Sequence, residues 1–385
     1  MPAPTLPTFV LEADRSVTFQ YESAVARSVL VAGNFTEWAR APLPLVRAEG
    51  TDRWSVRTAP LPCGVHAYKL IVDDQWLGDA QNPLTIPDGF GGRNPAFVLG
   101  GQPLGSPAAL RIASLNLHTY QEKSPLVKLE RVAFAAAAMK IDLCLFQEVG
   151  EHVSDPALPN AGEVVRDHLQ RFTGKPWFHA WREAHIGFDV YREGVSLLSS
   201  APIEDLRVYR LSDKALGRIA LVGTVTFGST KLRVGSTHVS WEMPDGELEV
   251  AKLLAAIDAE PADGRSATLL AGDLNATAPS APIRRFLDAG YADVGAARGQ
   301  TKPTFLDAPQ ERIDYHFLRA APGKGAPAVE AFARIFDGAP AEQGYQPRVS
   351  DHAGLVEVVT LRFVQLRDYD GNVHFVPNGQ ITTVV

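Results

Sequence analysis

Cysteine is scarce in this chain of 385 residues: there are two, Cys63 and Cys144, and they fall in segments that read as different domains. That spacing excludes a disulfide framework and a thiolate metal site, and both read as small core residues. Long apolar runs are missing as well, and none approaches the roughly 20 residues that cross a bilayer. The amino terminus, MPAPTLPTFVLEADRS, has neither the basic start nor the apolar stretch of a signal peptide, so the expected location is the cytoplasm. Basic residues are not in excess either. Lys and Arg number 37 against 44 Asp and Glu, and the net charge of −7 works against non-specific attraction to a polyanion. A local basic patch or a bound cation could reverse that at one site. No repeat at solenoid spacing is visible.

What remains is an ordinary globular composition, 45% apolar and 21% charged, long enough for two or three domains. The clearest break is LGGQPLGSPAAL at 99–110, where Gly, Pro and Ser interrupt two patterned regions; residues 100–109 are taken as a linker. Before it, in 1–99, runs such as SVTFQYE, SVLVAGNF and HAYKLIVDD are spaced by turn residues as in a small all-β sandwich. After it, in 110–360, strands alternate with helices, the pattern of a layered α/β domain. The run SPLVKLERVAFAAAAMK places Leu126, Leu129, Val132, Ala133, Ala136 and Ala137 on one stripe, with Ser124 as N-cap and Pro125 in the first turn. GELEVAKLLAAIDAE is a second amphipathic helix. Residues 361–385 alternate apolar and polar around DGN and predict a β-hairpin.

Polar residues recur where apolar strands stop. They are Asn116 in IASLNLH, Glu148 in LCLFQEV, His238 in VGSTHVSW, Asp273 and Asn275 in AGDLNA, Asp314 in RIDYHF, and Asp351 with His352 in RVSDHAG. Singly, each is explained by an Asx turn, a helix cap or a satisfied histidine. Together, carboxylates and imidazoles at one sheet end repel one another or are desolvated, unless a hard cation and a substrate anion balance them.

The ordered set LNLH, QEV, STH, GDLNA, RIDY and SDH resembles the endonuclease/exonuclease/phosphatase superfamily, with its deoxyribonuclease I-like fold, over about residues 108–360. The resemblance implies a four-layer α/β/β/α sandwich and a phosphoesterase that uses Mg²⁺, with Mn²⁺ as a substitute. It assigns the metal to Glu148, with Asn116 and Asp351 nearby. It gives Asp273 and Asn275 the attacking water and the phosphate, and His352 a proton for the phosphoryl oxygen or leaving group, oriented by Asp314. His238 resembles the deoxyribonuclease and sphingomyelinase branch. Glu193, in REGVSLLSSAPI, has two readings, a support for His238 or the cation and a solvated charge; His118 and Glu122 read as pocket residues or as a surface loop. Substrate class stays open among nucleic acid, phospholipid head group, inositol phosphate and sugar phosphate.

Residues 15–99 resemble the glycogen-binding carbohydrate modules of AMP-activated kinase β subunits and branching enzymes, on GNFTEW, YKLIVDDQW and DGFGGRNP. The resemblance assigns Trp38 and Trp76 as sugar platforms, Lys69 and Asn94 as hydrogen-bonding partners and Phe90 to the closing loop, with α-glucan or glycogen as partner. An indole face suits the apolar face of a pyranose. The other reading is an immunoglobulin-like sandwich whose Trp residues are core. For the whole chain the alternative to a tethered enzyme is a glucan-binding protein with an inert hydrolase domain. The tail resembles the β-domain segment of mechanosensitive channels, and no channel function is carried over.

Overall fold

The computed structural model describes residues 8–62, 64–82, 84–88, 90–99, 109–261, 264–308, 310–325, 327–336, 348–360, 363–367 and 373–377. Residues 8–99 build two antiparallel sheets. One runs β1 (Phe9–Leu11), β2 (Val17–Glu22), β6 (Arg53–Arg57), β5 (Val46–Arg47). The other runs β4 (Leu43–Pro44), β3 (Val29–Gly33), β7 (Gly64–Val72), β10 (Arg93–Leu99), β9 (Thr85–Pro87), with β8 (Gln75–Leu77) paired to β7. Period-two alternation sends Val17, Phe19, Val31, Tyr68, Leu70 and Phe97 between the sheets, so the expected small β-sandwich has its own core.

The second domain has two six-stranded sheets. The first is ordered β13 (Phe178–Gly187), β14 (Tyr191–Ser199), β12 (Leu143–His152), β11 (Ala109–Asn116), β22 (Gly354–Thr360), β21 (Ala328–Ile335). The second is ordered β15 (Ile203–Ser212), β16 (Arg218–Phe227), β17 (Thr230–His238), β18 (Ala267–Asp273), β20 (Asp314–Ala320), β19 (Ala292–Asp293). They pack face to face through residues such as Ile112, Leu145, Leu197, Leu221, Val234 and Leu269. Helices α1 (Pro125–Ala138) and α2 (Ala161–Thr173) cover the first sheet, and α3 (Asp245–Asp258) and α4 (Ala281–Asp288) cover the second; α5 (Val294–Ala297) is one short turn. The result is the expected four-layer α/β/β/α sandwich. β11/β12 and β17/β18 are parallel pairs, each closed by a helical crossover, α1 and α3 respectively. β23 (Phe363–Arg367) and β24 (Val373–Pro377) pair antiparallel as the tail hairpin. Its DGN turn, the 100–108 part of the linker and Cys63 lie outside the described residues, while Ala109 already belongs to β11.

Helix α1 departs from the expected single stripe. Lys128 through Ala136 are all buried, while Leu126, placed on the stripe by its spacing, is exposed. The helix is covered on two sides. On one side lie the first sheet and α2. On the other lies the outer face of the β-sandwich, where Val65, Ala67, Ile86, Ala96 and Val98 join the same apolar cluster as Leu129, Val132 and Ala133. Arg93 of β10 reaches Glu130 at 2.9 Å, and Arg171 of α2 reaches the same carboxylate at 2.7 Å. Ser124 does sit at the N-cap, but with φ 53 and without a side-chain capping bond, and Pro125 supplies the first turn.

Candidate active site

Register alone lines up three of the expected residues. His238 pairs with Asp273 across β17/β18, and Asp273 with Asp314 across β18/β20, so one row crosses the end of the second sheet. Gly272 makes this possible: its φ is 150°, and a Cβ there would lie 1.9 Å from the Thr237 carbonyl oxygen. In the facing sheet Asn116 ends β11 opposite Gln147. Glu148 follows on a bulge, where the β12/β14 register shifts between Phe146 and Val149 and φ reaches 47°. The bulge turns its carboxylate toward the row on the other sheet.

Asn116 stitches the two sheets together. Its Nδ2 donates to Glu148 Oε1 (2.8 Å) and Asp273 Oδ2 (3.1 Å), and lies 3.5 Å from His352 Nε2. Its Oδ1 accepts the His118 backbone N–H. Asp273 Oδ1 accepts the Asn275 N–H at 2.8 Å, and Asn275 Nδ2 donates to the Val239 carbonyl and meets His238 Nε2 at 3.0 Å. His352 Nδ1 is 2.9 Å from Asp314 Oδ2, and its Nε2 is 3.6 Å from Asp273 Oδ2. Ser350 holds the 350–352 turn by donating to the Asn116 carbonyl at 2.6 Å. Ligand atoms of Glu148, His238 and Asp273 lie within 4.8 Å of one another.

The two histidines are driven apart electrically. Burial alone would lower His352, but Asp314 and Asp273 outweigh it and raise the imidazole to about 10. His238 is held well below its ordinary value by burial, with Arg218 and His352 adding to it, so it is neutral and its Nε2 is free to accept from Asn275. Burial raises the Asp273 carboxyl to about 7, with Asp314 adding and His352 opposing. Glu148 is raised by burial and by the neighbouring Glu193 and Asp351 carboxylates.

Around this centre the structure decides the three open residues. Glu193 is buried, so the solvated reading fails: its Oε2 is 3.1 Å from the Thr119 hydroxyl and its Oε1 is 3.4 Å from His185 Nε2. His118 and Glu122 are part of the site's margin. His118 Nδ1 lies 3.1 Å from Glu122 and 3.4 Å from Asp351, and Arg348 donates to Glu122 at 2.6 Å. Sequence reasoning missed Thr119, Gln147 and Arg348. Gln147 donates from the first sheet to Ser236 Oγ of the second at 2.9 Å, and its only sequence signal was its place before Glu148.

In the β-sandwich the Trp38 and Trp76 rings lie 6.5 Å apart at 38°, and Phe90 is 96% exposed. Lys69 is half-buried on the face that carries Ala67. Asn94 is 5% exposed and shares its face with Ala96 and Val98, which pack on the α1 cluster.

The chain matches the Endonuclease/Exonuclease/phosphatase family over residues 100–352, the Glycogen recognition site of AMP-activated protein kinase over 15–95, and the Mechanosensitive ion channel, beta-domain over 342–385. It is 36% identical over 59 residues to 5'-AMP-activated protein kinase subunit beta-1 of Sus scrofa, a match spanning 15% of this chain and 44% of that protein. Similar solved structures include an endonuclease/exonuclease/phosphatase family protein from Leptotrichia buccalis (20% identity, TM-score 0.55, 66% of this chain and all of that one). Another is the endonuclease/exonuclease/phosphatase from Beutenbergia cavernae (22%, 0.51, 69% and 76%). At these identities the likeness is one of fold. No helix among the described residues is long and apolar enough to cross a membrane. With its family match spanning most of the chain and the expected carboxylates and histidines gathered at one pair of sheet ends, the chain belongs to the endonuclease/exonuclease/phosphatase family and carries a glycogen-recognition module ahead of that domain.

Proposed function

We propose that this chain is a divalent-metal-dependent phosphoesterase held on α-glucan by its first domain, acting on phosphate esters of the glucan or of molecules bound to it. The observation that carries the reading is the row His238–Asp273–Asp314 with His352 and Glu148 closing over it. The donor set fits a hard cation: Glu148 is raised first by burial and then by the neighbouring Glu193 and Asp351 carboxylates. Glu148 and Asp351 would hold Mg²⁺ or Mn²⁺, with Asn116 fixing Glu148. When bound, the cation supplies Lewis-acid charge to the phosphoryl oxygens. Asp273, poised near neutrality, takes a proton from the attacking water, and Asn275, its Nδ2 steadied by His238 and the Val239 carbonyl, offers Oδ1 to that water. His352, kept cationic by Asp314, delivers a proton to the phosphoryl or leaving oxygen.

The relation between the domains supports the glucan part. β10 passes from Leu99, whose partner Gly64 lies beside Phe336 near the carboxyl end of α1, to Arg93 beside Glu130. The sheet therefore advances toward the amino end of α1, where the helix meets the catalytic 117–124 loop, and Lys69 and Trp76 lie farther along β7 and β8 in that direction. Turnover of bis(p-nitrophenyl) phosphate in Mg²⁺, in Mn²⁺ and in EDTA tests the chemistry. Asp273→Asn and His352→Ala should each lower kcat by about 100-fold or more. Turnover unchanged in EDTA or in both variants removes the proposal. Glycogen co-sedimentation should be lost in Trp76→Ala, and phosphate release from phosphorylated glucan should exceed plasmid nicking.

A further inference from the structure

His316 and Glu357 are a buried pair that the reading above leaves unused. His316 lies two residues past Asp314 on β20, and Glu357 lies on β22, the strand that His352 leads into. Register turns both side chains inward: His316 pairs with Ala271 and Glu357 with Ile112, and these partners belong to the apolar cluster between the two sheets. His316 Nδ1 and Glu357 Oε2 are 3.4 Å apart across that gap, and both residues are fully buried. The Phe332 ring meets the imidazole edge to face, with centroids 5.5 Å apart. Among the described residues neither side chain makes a hydrogen bond: both ring nitrogens and both carboxylate oxygens are without one, and the next side chains along the same faces, Leu318 and Val359, are apolar.

Packing does not call for such a pair, since apolar residues of like volume in place of a buried ion pair commonly leave a protein as stable or more so. What the pair supplies is direction. Apolar side chains slide past one another at little cost, whereas two buried polar groups with no alternative partner are satisfied in one arrangement only. The strands it joins are the ones that carry the acid: Asp314 opens β20, His352 leads into β22, and their side chains meet at 2.9 Å. Asp314 Oδ1 has no hydrogen bond, so no bond to its second oxygen fixes the aim of that carboxylate. The inner pair repeats the outer one with the strands exchanged, the imidazole coming from β20 and the carboxylate from β22. The geometry points to His316 and Glu357 as positioning residues, a second bridge between β20 and β22 that sets the contact of Asp314 with His352. Their part in turnover rests on the phosphoesterase reading, but the bridge itself does not.

The test uses the full chain, read by proton NMR, thermal melting and turnover of bis(p-nitrophenyl) phosphate. The Nδ1 proton between His352 and Asp314 should give a low-field resonance that is absent in His352→Ala. The double variant His316→Leu with Glu357→Met keeps the core filled and apolar, so it should melt no lower than wild type. Its low-field resonance should nevertheless shift or disappear, and kcat should fall about 10- to 100-fold with KM unchanged, as a displaced acid requires. Glu357→Gln keeps a polar partner in the same place, so it should fold as wild type does and lie between wild type and the double variant in resonance and in kcat. Either variant, once folded, with an unmoved resonance and unchanged kcat overturns the proposal and leaves the hydrolase reading standing. A wild type that turns over no phosphodiester removes the hydrolase reading alone, because the resonance decides the bridge without turnover.

Discussion

Four residues at the site hold backbone angles that L-amino acids adopt rarely: His118 (φ 50), Thr119 (φ 34), Glu148 (φ 47) and Asn275 (φ 48). All four bear side chains that meet the catalytic row or its margin by direct hydrogen bonds or ion pairs. The strain is local and its return is aim. At the same scale the His352–Asp314 pair sets a pH window. Asp273 acts as a base once deprotonated, above about 7, and His352 acts as an acid while protonated, below about 10. Activity should therefore rise through neutrality and fall on the alkaline side. Asp314→Asn removes the carboxylate that raises His352 and adds to the rise of Asp273, so the alkaline limb of kcat/KM should move down by about a unit or more and the acidic limb should move down with it. A limb that does not move contradicts the assignment. In this row His238 and Asp273 were legible because each ends an apolar run, whereas Asp314 opens its strand and was legible through the RIDY resemblance. The sequence could not tell which end of the Asn116 amide faces Glu148, since that depends on the His118 N–H two residues on.

Elements were read well where periodicity decides them and less well where neighbours do. The β17–α3–β18 crossover followed its pattern. For α1 the pattern predicted one buried face, whereas the Ala-rich run packs on two sides, small enough for the sandwich domain to approach closely. The bulge in β12 was invisible, because alternation looks the same until the partner strand β14 is known. Lys128 shows what α1 contributes to the site. Its buried ammonium, lowered to about 8 by burial, donates to the carbonyls of Leu117 and Thr119 and so clamps the loop that carries His118. Lys128→Met leaves both carbonyls without a partner, at a cost of about 1–3 kcal/mol. Urea denaturation should register that loss, and hydrogen exchange should speed up over 117–122. Unchanged exchange there would separate α1 from the site.

At the scale of the molecule the two domains share one apolar cluster, so stability should respond to pH at their border. His66, on β7, is buried with its Nε2–H donated to the Pro62 carbonyl, and burial lowers its pKa to about 4. Between about 6.5 and about 4 the unfolded chain takes up a proton that the folded one refuses, so stability is full above that range and falls as pH falls through it, by about 3 kcal/mol. His179, also lowered to about 4, works in the same direction. Calorimetric melts between pH 7 and 4 should show the decline, shallower in His66→Gln; an identical slope in that variant would locate the proton elsewhere. The domain border itself was not legible, since the Gly/Pro/Ser-rich break reads as a loose tether while the surfaces on either side of it fit closely. That fit has a consequence for catalysis. With Arg93 and Arg171 both fastened to Glu130, the β-sandwich is pinned to a helix of the second domain, so under the proposed function the gripping and reacting sites would keep a fixed separation, like the jaws of a caliper.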